Sequence, residues 1–350
     1  MKTGARLIRK GLHKFIPSHF QDPFGLALRL IRSKDPAALF AMKTSLMGLV
    51  FTPLDLLLEI REKKLYKRAS QTEYPLIIVV GAPRSGTTLV AQVLIKHLPV
   101  CYFNNLTAVF PRSPLTANLL FKRWIKHYEI SYKSYYGKSL HLSGPNDALY
   151  IWDRWLGKDR KNLTKKLSEA EQKAMRRFFN AYIDAYKKPL VCKNNSLNVR
   201  ASQIAEVLEN AHFICLTRDP VFLAQSLLKA RTDIHGDVRI SYGINDLEKS
   251  NSQSPDAITD VCSQVFFHEH KIREQQQTIG ADRFWIISYE DFCQNPAELV
   301  KRVSEKILRC PFQDQEAART LKPFTISNKV KMEPELFEKI KLCCEKIRGR

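Results

Sequence analysis

The sequence predicts an α/β protein: a three-layer sandwich around a central parallel sheet, with a P-loop-like phosphate site and amphipathic helices at its N-terminal side. Three observations predict it. Short β-branched apolar runs recur at residues 76–80, 190–192, 212–216 and 284–288. Segments of helical length separate them, among them 199–210 and 220–231. A glycine-bearing loop, 81–86 (GAPRSG), stands between the first run and a helix-patterned segment, 88–97. Strands buried on both faces of a parallel sheet read as continuous apolar runs, and their alternation with helices marks βα units.

A chain of 350 residues with 44% hydrophobic content suffices for one large domain with a helical appendage. That composition excludes a disordered or fibrous chain. The net charge of +21 implies anionic partners: a phosphorylated cofactor, an anionic membrane face, nucleic acid or an acidic substrate. A generically basic surface kept for solubility is the alternative that charge alone does not remove. No RNA- or DNA-binding module signature is present, so nucleic acid is not an expected partner. The eight cysteines are scattered without a C-x-x-C pair, and Cys192 and Cys215 lie inside apolar runs. This spacing suits neither a zinc site nor a disulfide framework, so no metal and reduced thiols are expected. The sequons at Asn105, Asn162 and Asn194 then carry no meaning.

Residues 1–72 read as a basic leader, with 14 Lys and Arg against 5 Asp and Glu. Within it, 24–32 and 46–58 read as amphipathic helices around Pro53. Their apolar faces either dock on the body of the protein or lie on anionic lipid, and both readings stay open. The most hydrophobic stretch, 37–60, is broken by Lys43, Pro53, Asp55 and Glu59. Its uncharged run, 44–54, is too short to span a bilayer. No compact apolar core of a cleavable signal follows the basic start. A cytoplasmic protein, with peripheral contact at the inner membrane face, is the expectation. The main domain is expected over 73–350, with a mostly helical insert at about 100–188 rich in Lys, Tyr and Trp.

The loop after the first run carries the first chemistry. Backbone N–H groups cradle phosphate oxygens at such a strand–loop–helix junction, and the helix N-terminus favours their charge. Gly81 and Gly86 fit the G-x-x-x-x-G frame, but Thr87 stands where an NTPase carries its lysine, which argues against ATP or GTP hydrolysis. Arg84, Ser85, Gly86, Thr87 and Thr88 are therefore candidates for holding one phosphate-like group, with Arg84 stabilising charge on a bridging oxygen. Farther on, 212–220 (HFICLTRDP) reads as a strand ending in Arg218, with Ser226 on the next helix. Arg218 offers a bidentate fork to a phosphate at the sheet edge where open α/β folds bind ligands, and Ser226 adds a hydroxyl. Structural pairing of Arg218 with Asp219 is the competing reading.

The loop G-x-P-R-S-G-T-T, the R-D-P segment and 287–292 (ISYEDF), followed by Asn295 and Pro296, together resemble the PAPS-dependent sulfotransferase family. The version is that of carbohydrate, tyrosyl-protein and bacterial members, and the resemblance spans roughly residues 74–300. It implies 3′-phosphoadenosine 5′-phosphosulfate (PAPS) as co-substrate. The 5′-phosphosulfate would lie in the first loop and the 3′-phosphate at Arg218 and Ser226, with 327–331 (SNKVK) as further contacts. The Y-E-D segment is structural in that reading. Lys193 matches a lysine that several branches place beside the transferring group.

Sulfuryl transfer is an in-line displacement that needs a base for the acceptor's proton and cations for developing charge. Here the chain departs from the family. No acid occurs at 101–107, where one branch has its Glu, and Asn195 stands where the cytosolic branch has its His. The insert offers Asp147 first and His141 second as replacements. Asp147 otherwise reads as a helix cap and His141 as a structural histidine. The acceptor is expected to be a carbohydrate, lipid or other small molecule bearing a hydroxyl or amine. It would lie under Tyr132, Tyr135, Tyr136, Trp152 and Trp155, though such aromatics also build cores. The alternative is a catalytically degenerate member that binds nucleotide or an anionic surface without turnover, motivated by Asn105 and Asn195.

Overall fold

The apolar runs pair side by side. In the computed structural model, which describes residues 22–125, 129–157, 166–245, 256–312 and 321–349, they form one all-parallel sheet. Its strands are β1 (Leu76–Gly81), β2 (Cys101–Tyr102), β3 (Leu190–Lys193), β4 (Ala211–Thr217) and β5 (Phe284–Ser288), in the order β2-β3-β1-β4-β5. Ile78 of β1 stands opposite Cys192 on one side and Phe213 on the other. Strand β2 has no counterpart among the expected elements, because two residues show no periodicity.

The helices in chain order are α1 (Pro23–Arg32), α2 (Pro36–Val50), α3 (Thr52–Arg68), α4 (Thr87–His97), α5 (Asn105–Val109), α6 (Pro114–Phe121), α7 (Leu149–Leu156), α8 (Glu169–Tyr186), α9 (Ala201–Val207), α10 (Pro220–Ala230), α11 (Ala257–Ile279), α12 (Tyr289–Gln294), α13 (Pro296–Arg302) and α14 (Pro334–Arg348). Residues of β1 alternate between two cores. Leu76, Ile78 and Val80 pack with Trp152, Phe178, Phe179 and Tyr182 of α7 and α8. Ile77 and Val79 pack with α4, α12 and α13 through Val90, Leu94, Phe292 and Leu299. Burial on both faces is why β1 reads as an unbroken apolar run rather than an alternating one. A third cluster joins α10, α11 and α14. Trp152 and Trp155 are core residues, so of the aromatics considered for the acceptor only Tyr135 and Tyr136 line the open cleft.

The leader folds as helices that dock part of their surface on the body and leave part of it exposed. It contains three helices, and α2 and α3 are bent by 75° at Phe51, with Pro53 in the first turn of α3, where its missing N–H is harmless. Among the described residues no single helix is long and apolar enough to cross a membrane. Helix α3 docks on the body, but with its polar side. Asp55 accepts from the amides of Arg112 and Ser113 at 3.1 and 3.0 Å, and Glu62 from those of Leu115 and Thr116 at 3.0 and 2.6 Å. These are the amides at the start of α6, which no intrahelical carbonyl can satisfy. Leu54, Leu58 and Leu65 of α3 pack partly against the body beside these carboxylates, whereas Leu56, Leu57 and Ile60 face outward.

Candidate active site

Strand β1 sits between β3 and β4. The chain leaves β1 for β2 and β3 on one side, then for β4 and β5 on the other. Its C-terminal end is thus the switch point at which open α/β sheets lodge ligands. The glycine loop occupies that place. Ser85 N donates to Ala82 O at 3.1 Å, closing the turn. Gly86 has φ of 100°, and a Cβ there would lie 2.5 Å from the Tyr289 ring, so only glycine fits. Arg84 holds φ of 74°, a strained value for a side-chain-bearing residue. Ser85 is completely buried, and its Oγ has no protein hydrogen-bond partner. A buried hydroxyl left over beside a helix N-terminus suits an anionic ligand such as a phosphosulfate.

Lys193 ends β3 with its side chain buried. Its Nζ lies 2.8 Å from Asp147 Oδ2 and donates to Thr88 Oγ1 at 3.1 Å. Thr87 Oγ1 donates to Asn195 Oδ1 at 2.9 Å. Asp147 is therefore no helix cap: α7 begins two residues later, and Asn146 Oδ1 takes the Ala148 amide at 2.7 Å. Gly137, with φ of 84°, lets the backbone pass close by, since a Cβ would stand 3.0 Å from Asp147 Oδ2. Asn105, one of the asparagines that raised doubt about catalysis, is buried and structural. Its Nδ2 donates to the carbonyls of Ser139 and His141, and its Oδ1 accepts from Asn146 Nδ2 at 2.7 Å. It anchors the irregular stretch that delivers Asp147. His141 is not brought to this group: it is exposed, with its ring 6.4 Å from that of Phe40.

Arg218 extends from the end of β4. Its Nη1 donates to Arg84 O at 3.0 Å, its Nη2 to Ser327 O at 2.7 Å, and its Nε and Nη2 to Asn328 Oδ1 at 3.1 and 3.0 Å. Its guanidinium also covers the Tyr289 ring at 4.8 Å. Burial pushes its pKa below the usual guanidinium value, opposed by Tyr289 and Glu290. Asp219 does not pair with it, because its carboxylate caps α10 at the amides of Val221 and Phe222. Ser226 accepts from Arg84 Nε at 3.2 Å, so serine and both arginines form one group.

Sequence reasoning missed two supports. Glu290 accepts from Asn328 Nδ2 at 2.7 Å and from the Asp219 amide at 3.1 Å, setting the amide oxygen that faces Arg218. Tyr136 lies under the Arg84 guanidinium at 4.5 Å and donates to Asp233 Oδ2 at 2.5 Å. Burial, then that carboxylate, push its hydroxyl well above the ordinary phenol value, so it acts as a neutral donor. The Y-E-D segment signals Glu290 but not its partner, and Tyr136, expected only among the acceptor aromatics, carries no signal of its place under Arg84.

Arg84, Thr87, Thr88, Asp147, Lys193 and Arg218 open into one cleft of about 2140 Å³, which Leu26, Leu30, Ala38 and Met42 of α1 and α2 wall on the far side. Small-ligand pockets hold about 300–1,000 Å³, so this cleft has room for two reactants. It offers a phosphate loop, two arginines, and a carboxylate–ammonium pair that can take a proton beside a cation.

A family model, described as the sulfotransferase family, matches residues 75–314. A protein-tyrosine sulfotransferase of Drosophila melanogaster is 26% identical over 250 residues, which are 69% of this chain and 39% of that protein. The chain thus matches well under half the length of that relative. Among solved structures, a sulfotransferase of Mycobacterium avium has a TM-score of 0.55 at 14% identity, covering 99% of this chain and 96% of that one. Another, of Mycobacterium tuberculosis H37Rv, has a TM-score of 0.52 at 12% identity, covering 99% and 97%. At these identities the two structures speak for the fold. The chain belongs to the sulfotransferase family.

Proposed function

We propose that this sulfotransferase takes the sulfuryl group of PAPS and transfers it to a hydroxyl or amine of a carbohydrate, lipid or other small-molecule acceptor. The observation that carries the donor assignment is Arg218: its hydrogen-bond acceptors are the neutral oxygens of Arg84, Ser327 and Asn328. A half-buried cation held by neutral groups leaves its charge available to a phosphate. Arg218 and Ser226 would hold the 3′-phosphate, and the loop amides with Arg84, Ser85, Thr87 and Thr88 the 5′-phosphosulfate.

PAPS supplies an activated sulfuryl group on a phosphate leaving group. In the transfer a bond forms from the acceptor oxygen or nitrogen to sulfur, and the sulfur–oxygen bond to the 5′-phosphate breaks. Asp147 accepts the proton that the acceptor loses. Lys193, between Asp147 and Thr88, neutralises charge as it builds on the leaving oxygen, with Arg84 on the other side.

Titration with 3′-phosphoadenosine 5′-phosphate, the product nucleotide, tests this. The expected result is thermal stabilisation of the wild type that is lost in Arg218→Ala, followed by transfer from labelled PAPS in an acceptor screen. No stabilisation, with ATP equally inert, overturns the donor assignment. Binding with no turnover on any acceptor favours the degenerate, non-catalytic reading.

A further inference from the structure

Helix α3 buries two carboxylates while leaving large apolar residues in the open. Asp55 and Glu62 are 2% and 0% exposed, whereas Leu57 and Ile60 are 66% and 62% exposed. A helix between a protein body and water places its leucines inward and its carboxylates outward. The neighbouring helices share the trait. Phe24, Leu28 and Ile31 of α1 recur at helical spacing and are all exposed, as are Leu39, Leu46 and Val50 of α2. Singly exposed apolar residues need no explanation, but a run across three consecutive helices does.

The charges around this face are of one sign. Lys43 stands in line with Leu39, Leu46 and Val50, and Arg61, Lys64 and Arg68 continue the line of Leu57 along α3, all of them exposed. The acids of the region are engaged elsewhere. Asp55 and Glu62 cap the start of α6, Glu59 pairs with Lys63 at 2.9 Å and Arg112 at 3.2 Å, and Asp22 and Asp35 cap α1 and α2. The first 21 residues add five Lys and Arg and no Asp or Glu.

We propose that the outer face of α1–α3 docks on an anionic lipid bilayer, lying in its interface rather than crossing it. Leucines and Phe24 enter the acyl boundary, while the long basic side chains reach anionic headgroups from the same helix faces. Basic residues set in line with apolar ones, without free acids, fit such a surface better than a second copy of this chain, whose own basic face would repel it. The inner faces of α1 and α2 line the cleft, so docking holds the cleft beside the bilayer. Docking does not depend on the transfer chemistry.

Cosedimentation of the full chain with vesicles tests it, comparing phosphatidylcholine alone with an equimolar mixture of phosphatidylcholine and phosphatidylserine. The wild type is expected in the pellet with the anionic vesicles, and at least about tenfold less with the neutral ones or at high salt. The double variant Leu57→Glu with Ile60→Glu is expected to lower anionic-vesicle partitioning by about tenfold or more. Stabilisation by the product nucleotide should be equal in variant and wild type, which shows that the variant is folded and reports on the donor assignment separately. A wild type that stays in the supernatant, a variant that pellets like the wild type, or a wild-type dimer that the same variant dissolves without any vesicle binding would each overturn the proposal.

Discussion

The two ends of the cleft hold their cations in opposite ways. Lys193 is already matched by a carboxylate, Asp147 at 2.8 Å, whereas Arg218 is held by carbonyl and amide oxygens that carry no charge. A matched pair has little left for a resident anion but can pass a proton and expose its cation as charge moves. An unmatched guanidinium does the reverse: it rewards an anion that stays. Under the proposed function the difference separates turnover from retention, with chemistry at the Lys193 end and nucleotide binding at the Arg218 end.

The largest expected effect breaks the matched pair. Asp147→Asn should lower transfer by about 10²–10⁴-fold while leaving the affinity for the product nucleotide unchanged or improved, since Lys193 is freed. Turnover at the wild-type rate in this variant would remove Asp147 as the base. A smaller effect should follow from making the two ends alike. Asn328→Asp places a carboxylate on Arg218 and should weaken the product nucleotide by roughly tenfold to a hundredfold, measured by calorimetry at low salt. Unchanged affinity would show that the 3′-phosphate lies elsewhere.

Milder still, Asn105→Ala releases the stretch that carries Asp147. A drop of about tenfold in kcat with unchanged nucleotide affinity is expected, because a misplaced catalytic group loses orientation rather than binding. Equal losses at both ends would instead mark Asn105 as a general stabiliser. The control for all of these is His268, which does not line the cleft. Burial lowers its pKa from 6.5 to about 4, and its ring nitrogens are engaged with Asn198 and the Ile244 carbonyl. The unfolded chain therefore binds more protons between these values, so stability is full above pH 6.5 and falls as pH drops toward 4. The loss is on the order of 3 kcal/mol, seen as a falling Tm that His268→Gln flattens. Acid limbs of activity below pH 6 need this correction before they are assigned to Asp147.

What the sequence disclosed follows the range of the interactions. The phosphate loop is contiguous, and its glycine spacing and flanking elements are written in adjacent residues. Arg218 is legible for the same reason, as the end of an apolar run before Asp219 and Pro220, a helix start. The union of Lys193 with Asp147 joins residues on either side of α7 and α8, through a stretch shaped by the buried amide of Asn105, and no local pattern encodes that. Asn328 depends likewise on Glu290 from another element. The leader's two readings stayed open because periodicity tells which residues share a face, not which face meets the body. Nothing local in the sequence shows that Asp55 and Glu62 turn inward to the amides they cap.

Those two carboxylates have a consequence for where the molecule can be cut. The residues that carry the family signature begin at 75, after α3 has ended. A chain started there would keep the phosphate loop, both arginines, Lys193 and Asp147, yet the first amides of α6 would lose their acceptors. Each charge-assisted bond given up to water costs about 1.5–3 kcal/mol, and the cluster of Leu106, Val109, Phe110 and Ala117 also loses the cover of Leu54 and Leu58, together a large share of the stability of a typical domain. The stretch that identifies the family is thus shorter than the stretch that folds, and minimal versions of it have to begin upstream of α3.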